Sequence, residues 1–206
     1  MPQGLRERKK QRTREQIIEA AMRLFAERGY QATTIANIAT AADVAPRTFF
    51  AYFPSKEAVV FHNVDRDLDS LASALRDRLP GETAFDALRR WISAMFDQWQ
   101  EEEDEALLRK RLRHEDEGLA NFQGGIMARI QDLLLEAIAD DLGESRDALR
   151  PRLVTAAAIA ALTSLEGTIH EKTEQRLAKG EALAVLDEAM RFLRGGLDAL
   201  QDPPGL

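Results

Sequence analysis

The chain has no cysteine in its 206 residues, which removes disulfides, thiol catalysis and every thiolate metal site at once. Long hydrophobic runs are missing too. The longest apolar stretch, residues 153–162, is half of the roughly 20 residues a membrane-spanning helix needs and is interrupted by Thr155, so no membrane partner is expected. Residues 1–16 are charged where a targeting signal would have to be apolar, and the expected location is the cytoplasm. The three histidines, His62, His114 and His170, stand apart. With no H-x-x-x-H pair, no G-x-S-x-G elbow and no glycine-rich phosphate loop, the expectation is a protein that is not an enzyme and holds neither a metal nor a cofactor. No Gly/Ser/Pro-rich linker divides the chain, and strand signals are nearly absent.

What is present is helix and charge. Hydrophobic residues make up 45% and charged residues 31%, the balance of a globular protein with a packed core. The net charge of -7 hides a division along the chain. Residues 1–56 hold ten Lys or Arg against five Asp or Glu, a balance of +5, and residues 57–206 hold eighteen against thirty, or -12. A basic end joined to an acidic body suggests that the two parts meet different partners, the first of them a polyanion.

Periodicity predicts an all-α fold of about nine helices. Ile17, Ala21, Leu24 and Phe25 fall on one face of a helix over residues 13–28, with Thr13 and Gln16 spaced as a capping box and Gly29 placed to end it. Ile35, Ile38, Ala39 and Ala42 stripe a short second helix that opens at Thr34. Asp43 and Val44 turn the chain, and Pro46 pre-sets φ for a third helix. Phe53-Pro54 stops that one, and Ser55 caps a fourth, read as running without a break to about residue 78 and connecting the basic and acidic parts rigidly. Further helices are expected near residues 84–100, 104–113, 119–142, 148–172 and 181–200.

Two short helices joined by a tight turn and covered by a third form the layout of a helix-turn-helix unit, about residues 34–53. On spacing alone a plain three-helix core would fit as well. The stretch TREQIIEAAMRLFAERGYQATTIANIATAADVAPRTFFAYFPSKEAVV, however, resembles the amino-terminal domain of the TetR family of bacterial transcriptional regulators almost position by position. The resemblance rests on Ala20 and Ala21, Leu24 and Phe25, Gly29 and Tyr30, Thr33 and Thr34, Ile38 and Ala39, Val44, Thr48, Tyr52 and Phe53, and Lys56. It covers roughly the first quarter of the chain, and beyond that only the number and length of helices agree.

The resemblance implies a sequence-specific DNA-binding regulator, a repressor by family habit, which leaves a palindromic operator when a small molecule binds. It places a DNA-binding domain at residues 11–71 and a ligand-binding and dimerisation domain at residues 72–206. The third helix would lie in the major groove, with Arg47 as the base reader or, in the other reading, a phosphate contact, and Ala45, Pro46 and Thr48 offering apolar surface to thymine methyls. Thr34, Tyr52 and Lys56 match positions that hold phosphates, and the arm with Arg6, Arg8, Lys9, Lys10, Arg12 and Arg14 adds charge that follows the backbone or enters the minor groove. The sequence departs from the family at Ala45, where a small polar residue is usual, and at Phe50, where tyrosine is usual. The second change removes one phosphate donor.

The acidic body carries two further groups. Trp91, Met95, Phe96, Trp99, Phe122 and Met127, with Arg89, Arg90, His114 and Thr163 as candidate polar anchors, either line a cavity for a largely apolar effector or form plain core. Ala157, Ala160, Ser164 and Gly167 with Leu186, Leu193 and Leu197 suit a four-helix interface between two copies, or the inside of one subunit. The other reading of the whole is a helical dimeric ligand-binding or interaction module without specific DNA binding.

Overall fold

The structure, a computed structural model of the chain, describes residues 4–101, 103–171 and 179–201, with side chains described outside residues 96–104, 106, 165–179, 182 and 200–206. It is all-helical, with ten helices among the described residues: α1 (Leu5–Arg28), α2 (Ile35–Ala41), α3 (Pro46–Phe50), α4 (Lys56–Val60), α5 (Val64–Arg76), α6 (Ala84–Glu101), α7 (Glu103–Glu115), α8 (Glu117–Leu142), α9 (Leu149–Glu171) and α10 (Lys179–Gln201). Two compact units result, one made of Met1–Asp65 with Glu102–Gly125, the other of Arg66–Glu101 with Ile126–Leu206.

In the first unit, the buried face of α1 holds Ile17, Ala21, Leu24 and Phe25, the stripe that the spacing marks. These side chains meet Ile38 and Ala42, Phe49 and Phe53 from around α3, and Val59 and Val60 of α4. Each fully buried Leu, Ile or Phe stabilises the unit by about 1.5–3 kcal/mol relative to exposure, so the three short helices are held by packing more than by propensity. The start of α1 differs from expectation. The helix begins at Leu5, so the basic arm is helical, and Thr13 sits inside it with its hydroxyl bonded to the Lys9 carbonyl at 3.1 Å. Gly29, with φ 82, ends it as expected.

The same unit takes in a second stretch of chain, a difference from a cut at residues 71/72. Leu112 of α7 and Leu119 of α8 are both fully buried in its core, and Phe122 stacks on Phe61 with centroids 5.3 Å apart and planes 13° from parallel. Their apolar character marks them as buried; nothing local in the sequence says in which core.

The helix expected over residues 55–78 is broken in two, and the rigid connection read from it is corrected accordingly. α4 ends at Phe61, whose φ and ψ of -105° and 39° leave the helical region, and α5 starts at Val64. Tertiary contacts decide this: Phe61 is drawn onto Phe122, and the His62 carbonyl accepts from the Arg14 guanidinium.

In the second unit, α9 and α10 pack on each other and α10 packs on α6. Leu71 and Leu75 of α5, Phe85 and Leu88 of α6, Leu134 and Ile138 of α8, Ala158 of α9 and Met190 of α10 fill its core. α6 opens on a reciprocal cap in which the Asp86 amide donates to the Thr83 hydroxyl at 3.2 Å and the Thr83 amide to the Asp86 carboxylate at 3.0 Å. Asp141 receives the Ala84 amide at 2.6 Å, joining the start of α6 to the end of α8.

Candidate nucleic-acid interface

The link between α2 and α3 is a tight, fully bonded turn. The Val44 amide donates to the Ala39 carbonyl at 2.9 Å and the Asp43 amide to Thr40 at 3.2 Å, the paired bonds of a Schellman end. Such an end needs one residue in the left-handed region, and Asp43 takes it with φ 55. α3 then starts on Pro46, with no side-chain cap from Ala45. Phe49 is fully buried and wedged between the rings of Phe50 and Phe53, with centroids 5.6 and 5.9 Å away.

With Phe49 pointing inward, the other face of this five-residue helix must point out. Ala45, Pro46, Arg47 and Phe50 are exposed, and Thr48 and Tyr52 are half-buried. The arrangement offers one guanidinium, able to make two parallel hydrogen bonds to guanine, among apolar atoms suited to sugar or thymine methyl contact. Tyr52 and Ala51 line a shallow groove together with Glu7, Lys10, Gln11 and Arg14 of α1. Arg6, Arg8, Lys9, Lys10 and Arg12 are all exposed on the helical arm.

Two of the expected phosphate contacts are occupied within the protein. Arg14 donates to the His62 carbonyl, with its guanidinium 5.2 Å from the centre of the Phe53 ring. The Lys56 ammonium donates to the Tyr30 carbonyl at 2.8 Å and the Thr33 carbonyl at 2.9 Å and sits 3.9 Å over the Tyr30 ring. Burial pulls the Lys56 pKa below the ordinary lysine value, and the carboxylates of Glu57 and Asp116 oppose the shift. The Tyr30 hydroxyl donates to Glu57 at 2.6 Å; burial and this carboxylate push the phenol well above its usual range. Burial works to raise Glu57 as well, but bonds from Tyr30, Ser55 and the backbone outweigh it and hold the carboxyl low. Thr34 is engaged locally, accepting from the Asn37 amide at 3.1 Å and donating to the Asn37 side chain at 2.7 Å. The partner sets of Arg14 and Lys56 were not legible from sequence, since they lie 48 and 23–26 residues away.

Comparison with known proteins decides what the arrangement belongs to. Residues 17–62 match the family described as bacterial regulatory proteins, tetR family, and residues 82–198 match the one described as MftR C-terminal domain. The HTH-type transcriptional regulator TcmR of Streptomyces glaucescens is 32% identical over 98% of this chain and 92% of its own length. The chain belongs to the TetR family. It is a DNA-binding transcriptional regulator. Solved structures share the fold: SmeT of Stenotrophomonas maltophilia in complex with triclosan aligns with a TM-score of 0.65 and 22% identity over 87% of this chain and 90% of that one. FadR of Bacillus subtilis in complex with stearoyl-CoA aligns with a TM-score of 0.62 and 21% identity over 88% and 98%.

In this TetR-family chain the residues expected at an effector cavity are divided between the two units. Trp91 and Met95 of α6 and Met127 of α8 are half-buried in the second unit, and the Trp91 indole donates to the Ser70 hydroxyl at 3.1 Å. Phe122 lies in the first unit, half-buried, with its ring stacked on Phe61. Thr163 is exposed, with its hydroxyl returned to the Ile159 carbonyl at 2.9 Å, and does not serve as a buried anchor. The side chains of Phe96 and Trp99, and Gly167, fall outside the described residues. Arg89 is paired with Asp187 and Arg90 with Glu82.

The dimerisation residues divide likewise. Ala157, Ala160 and Ser164 are exposed on α9, as an interface requires. Leu186, Leu193 and Leu197 are buried in the core of their own unit, because that stripe of α10 faces α6 and α9, and their place at a subunit interface is corrected. The other face of α10 exposes Phe192 at 76% together with Gly195, Gly196 and Ala199. Among the described residues no helix is long and apolar enough to cross a membrane, and no three His, Cys, Asp or Glu side chains are grouped to hold a metal ion.

Proposed function

We propose that this regulator is a repressor that binds a palindromic operator as a homodimer and is released by a small, largely apolar effector. The observation that carries the reading is the exposed face of α3, where Arg47 stands between Pro46 and Phe50 on a helix pinned by the buried Phe49. Arg47 reads a guanine edge, Ala45, Pro46, Thr48 and Phe50 contact sugar and methyl groups, and Tyr52 and Lys10 meet the phosphates from the groove beside them.

A second copy is supported by exposed apolar residues on α9 and α10. Leu149 and Leu153 of α9, exposed at 69% and 58%, are followed at helical spacing by Ala156, Ala157 and Ala160, and α10 exposes Phe192, Gly195 and Gly196. Stripes of this kind on a folded chain mark an interaction surface, and a self-complementary one gives a two-fold dimer that matches a two-fold operator. The effector class is supported by Trp91, Met95 and Met127 on the partly apolar helices α6 and α8, and by the bound molecules named for the SmeT and FadR structures. Release requires the effector to prefer the arrangement that fits DNA less well, with a coupling of about 1–3 kcal/mol that works equally in both directions.

Selection of bound fragments from genomic DNA, followed by gel-shift titration, tests the reading. It predicts enrichment of an inverted repeat bound by two chains. Enrichment of an unpaired single site contradicts the dimeric mode, and no enrichment contradicts specific recognition.

A further inference from the structure

Inside the turn between α1 and α2, residues 29–33, the Thr33 amide donates to the Tyr30 carbonyl at 3.2 Å and the Thr33 hydroxyl to the Gly29 carbonyl at 2.8 Å. Further restraint comes from outside. On one side the Lys56 ammonium takes the carbonyls of Tyr30 and Thr33 together and lies over the Tyr30 ring. On another side Gln31 donates its amide to Asp116, a carboxylate only 7% exposed at the corner between α7 and α8. The second oxygen of Asp116 accepts the Leu119 amide at 2.9 Å and so caps α8. One cation and one anion, 60 positions apart in the chain, thus hold the same five residues, and each lies in the other's field.

We propose that Lys56 and Asp116 are positioning residues for operator binding, acting through the turn at residues 29–33 and not through contact with DNA. The turn sets the direction in which α2 leaves α1, and α2 packs directly on α3. A small rotation of α2 therefore moves Arg47 against the base edges, where a misplacement near 1 Å loses a bidentate bond. Two of the three ammonium donors of Lys56 are already committed to carbonyls, which ties the side chain to the turn.

Full-length Lys56→Met, Asp116→Asn and Gln31→Ala test this. Asn at 116 keeps one good acceptor and so supports either the α8 cap or the Gln31 bond; Gln31 is exposed and its replacement leaves the core intact. The probes are the duplex recovered by genomic selection and a random duplex of equal length. All three variants are expected to bind the selected duplex about tenfold more weakly, with affinity for random duplex unchanged and an unchanged slope of log K against log salt concentration. A slope reduced by about 0.9 per chain for Lys56→Met, with both duplexes weakened, identifies a phosphate contact and overturns the proposal. Amide exchange in the free protein decides independently of any operator. Faster exchange confined to residues 34–40 is expected in each variant, whereas unchanged exchange there, or an equal rise across residues 17–25, overturns the positioning role.

Discussion

Arg47 is the one long cationic side chain on α3, and it is exposed while its neighbour Phe49 is fully buried. Its role therefore depends on Phe49 staying where it is. Arg47→Ala is expected to cost about 1–3 kcal/mol at a single base pair and to relax preference there, measured by competition among operator variants. Uniform weakening across all variants would make it a phosphate contact instead. Asp43 shows the same dependence of function on backbone. A left-handed conformation suits glycine and, next best, asparagine or aspartate, whereas a β-branched side chain there clashes with its own carbonyl. Asp43→Gly should be neutral or slightly stabilising, and Asp43→Val should lower the thermal midpoint by an amount corresponding to about 1–2 kcal/mol. An unchanged midpoint for the valine variant would mean that the turn adopts another geometry.

At the scale of elements, much of the DNA-binding half was legible because its signals are local. The stripe of Ile17, Ala21, Leu24 and Phe25, the cap at Thr34, the turn at Asp43 and the proline at 46 each act within a few residues, and each lies where the spacing puts it. Distant partners were not legible. Nothing near Phe61 announces that Phe122 will stack on it, so residues 55–78 read as one helix although the chain leaves helical geometry at Phe61. The site shows the same limit: Lys56 and Arg14 read as surface cations until their carbonyl partners are seen. α8 supplies a further test. Gly124 and Gly125 lie inside this helix, exposed, with open space where a Cβ would stand. Helical glycine costs about 0.5–1 kcal/mol relative to alanine, so Gly125→Ala should raise stability by that amount in chemical denaturation. A loss of stability would mean that the helix needs the freedom glycine provides at that point.

At the scale of the molecule, the stripe Leu186, Leu193 and Leu197 shows what periodicity cannot tell. It marks an apolar face correctly but does not say whether the cover comes from the same chain or from a second one. Burial settles that for these leucines and leaves Phe192, Leu153 and the alanines of α9 outside. Two glutamates should therefore behave differently. Phe192→Glu is expected to give folded monomers by light scattering and circular dichroism, with operator affinity reduced because each half-site must be bound separately. Leu193→Glu is expected to unfold the second unit, since an unpaired charge in a packed core costs far more than a domain of this size can spare. A folded dimer with Phe192→Glu would place the subunit contact elsewhere.

The charge division leaves residues 1–56 with a balance of +5, and this DNA-binding end of the chain must find one site among very many. The most direct measurement is a titration of full-length protein against its selected duplex and against random duplex, repeated across a range of salt concentrations. Recognition by α3 predicts at least a thousandfold preference for the selected duplex, with both affinities falling linearly on a log–log plot as salt rises. Equal affinity for the two duplexes at moderate salt contradicts it.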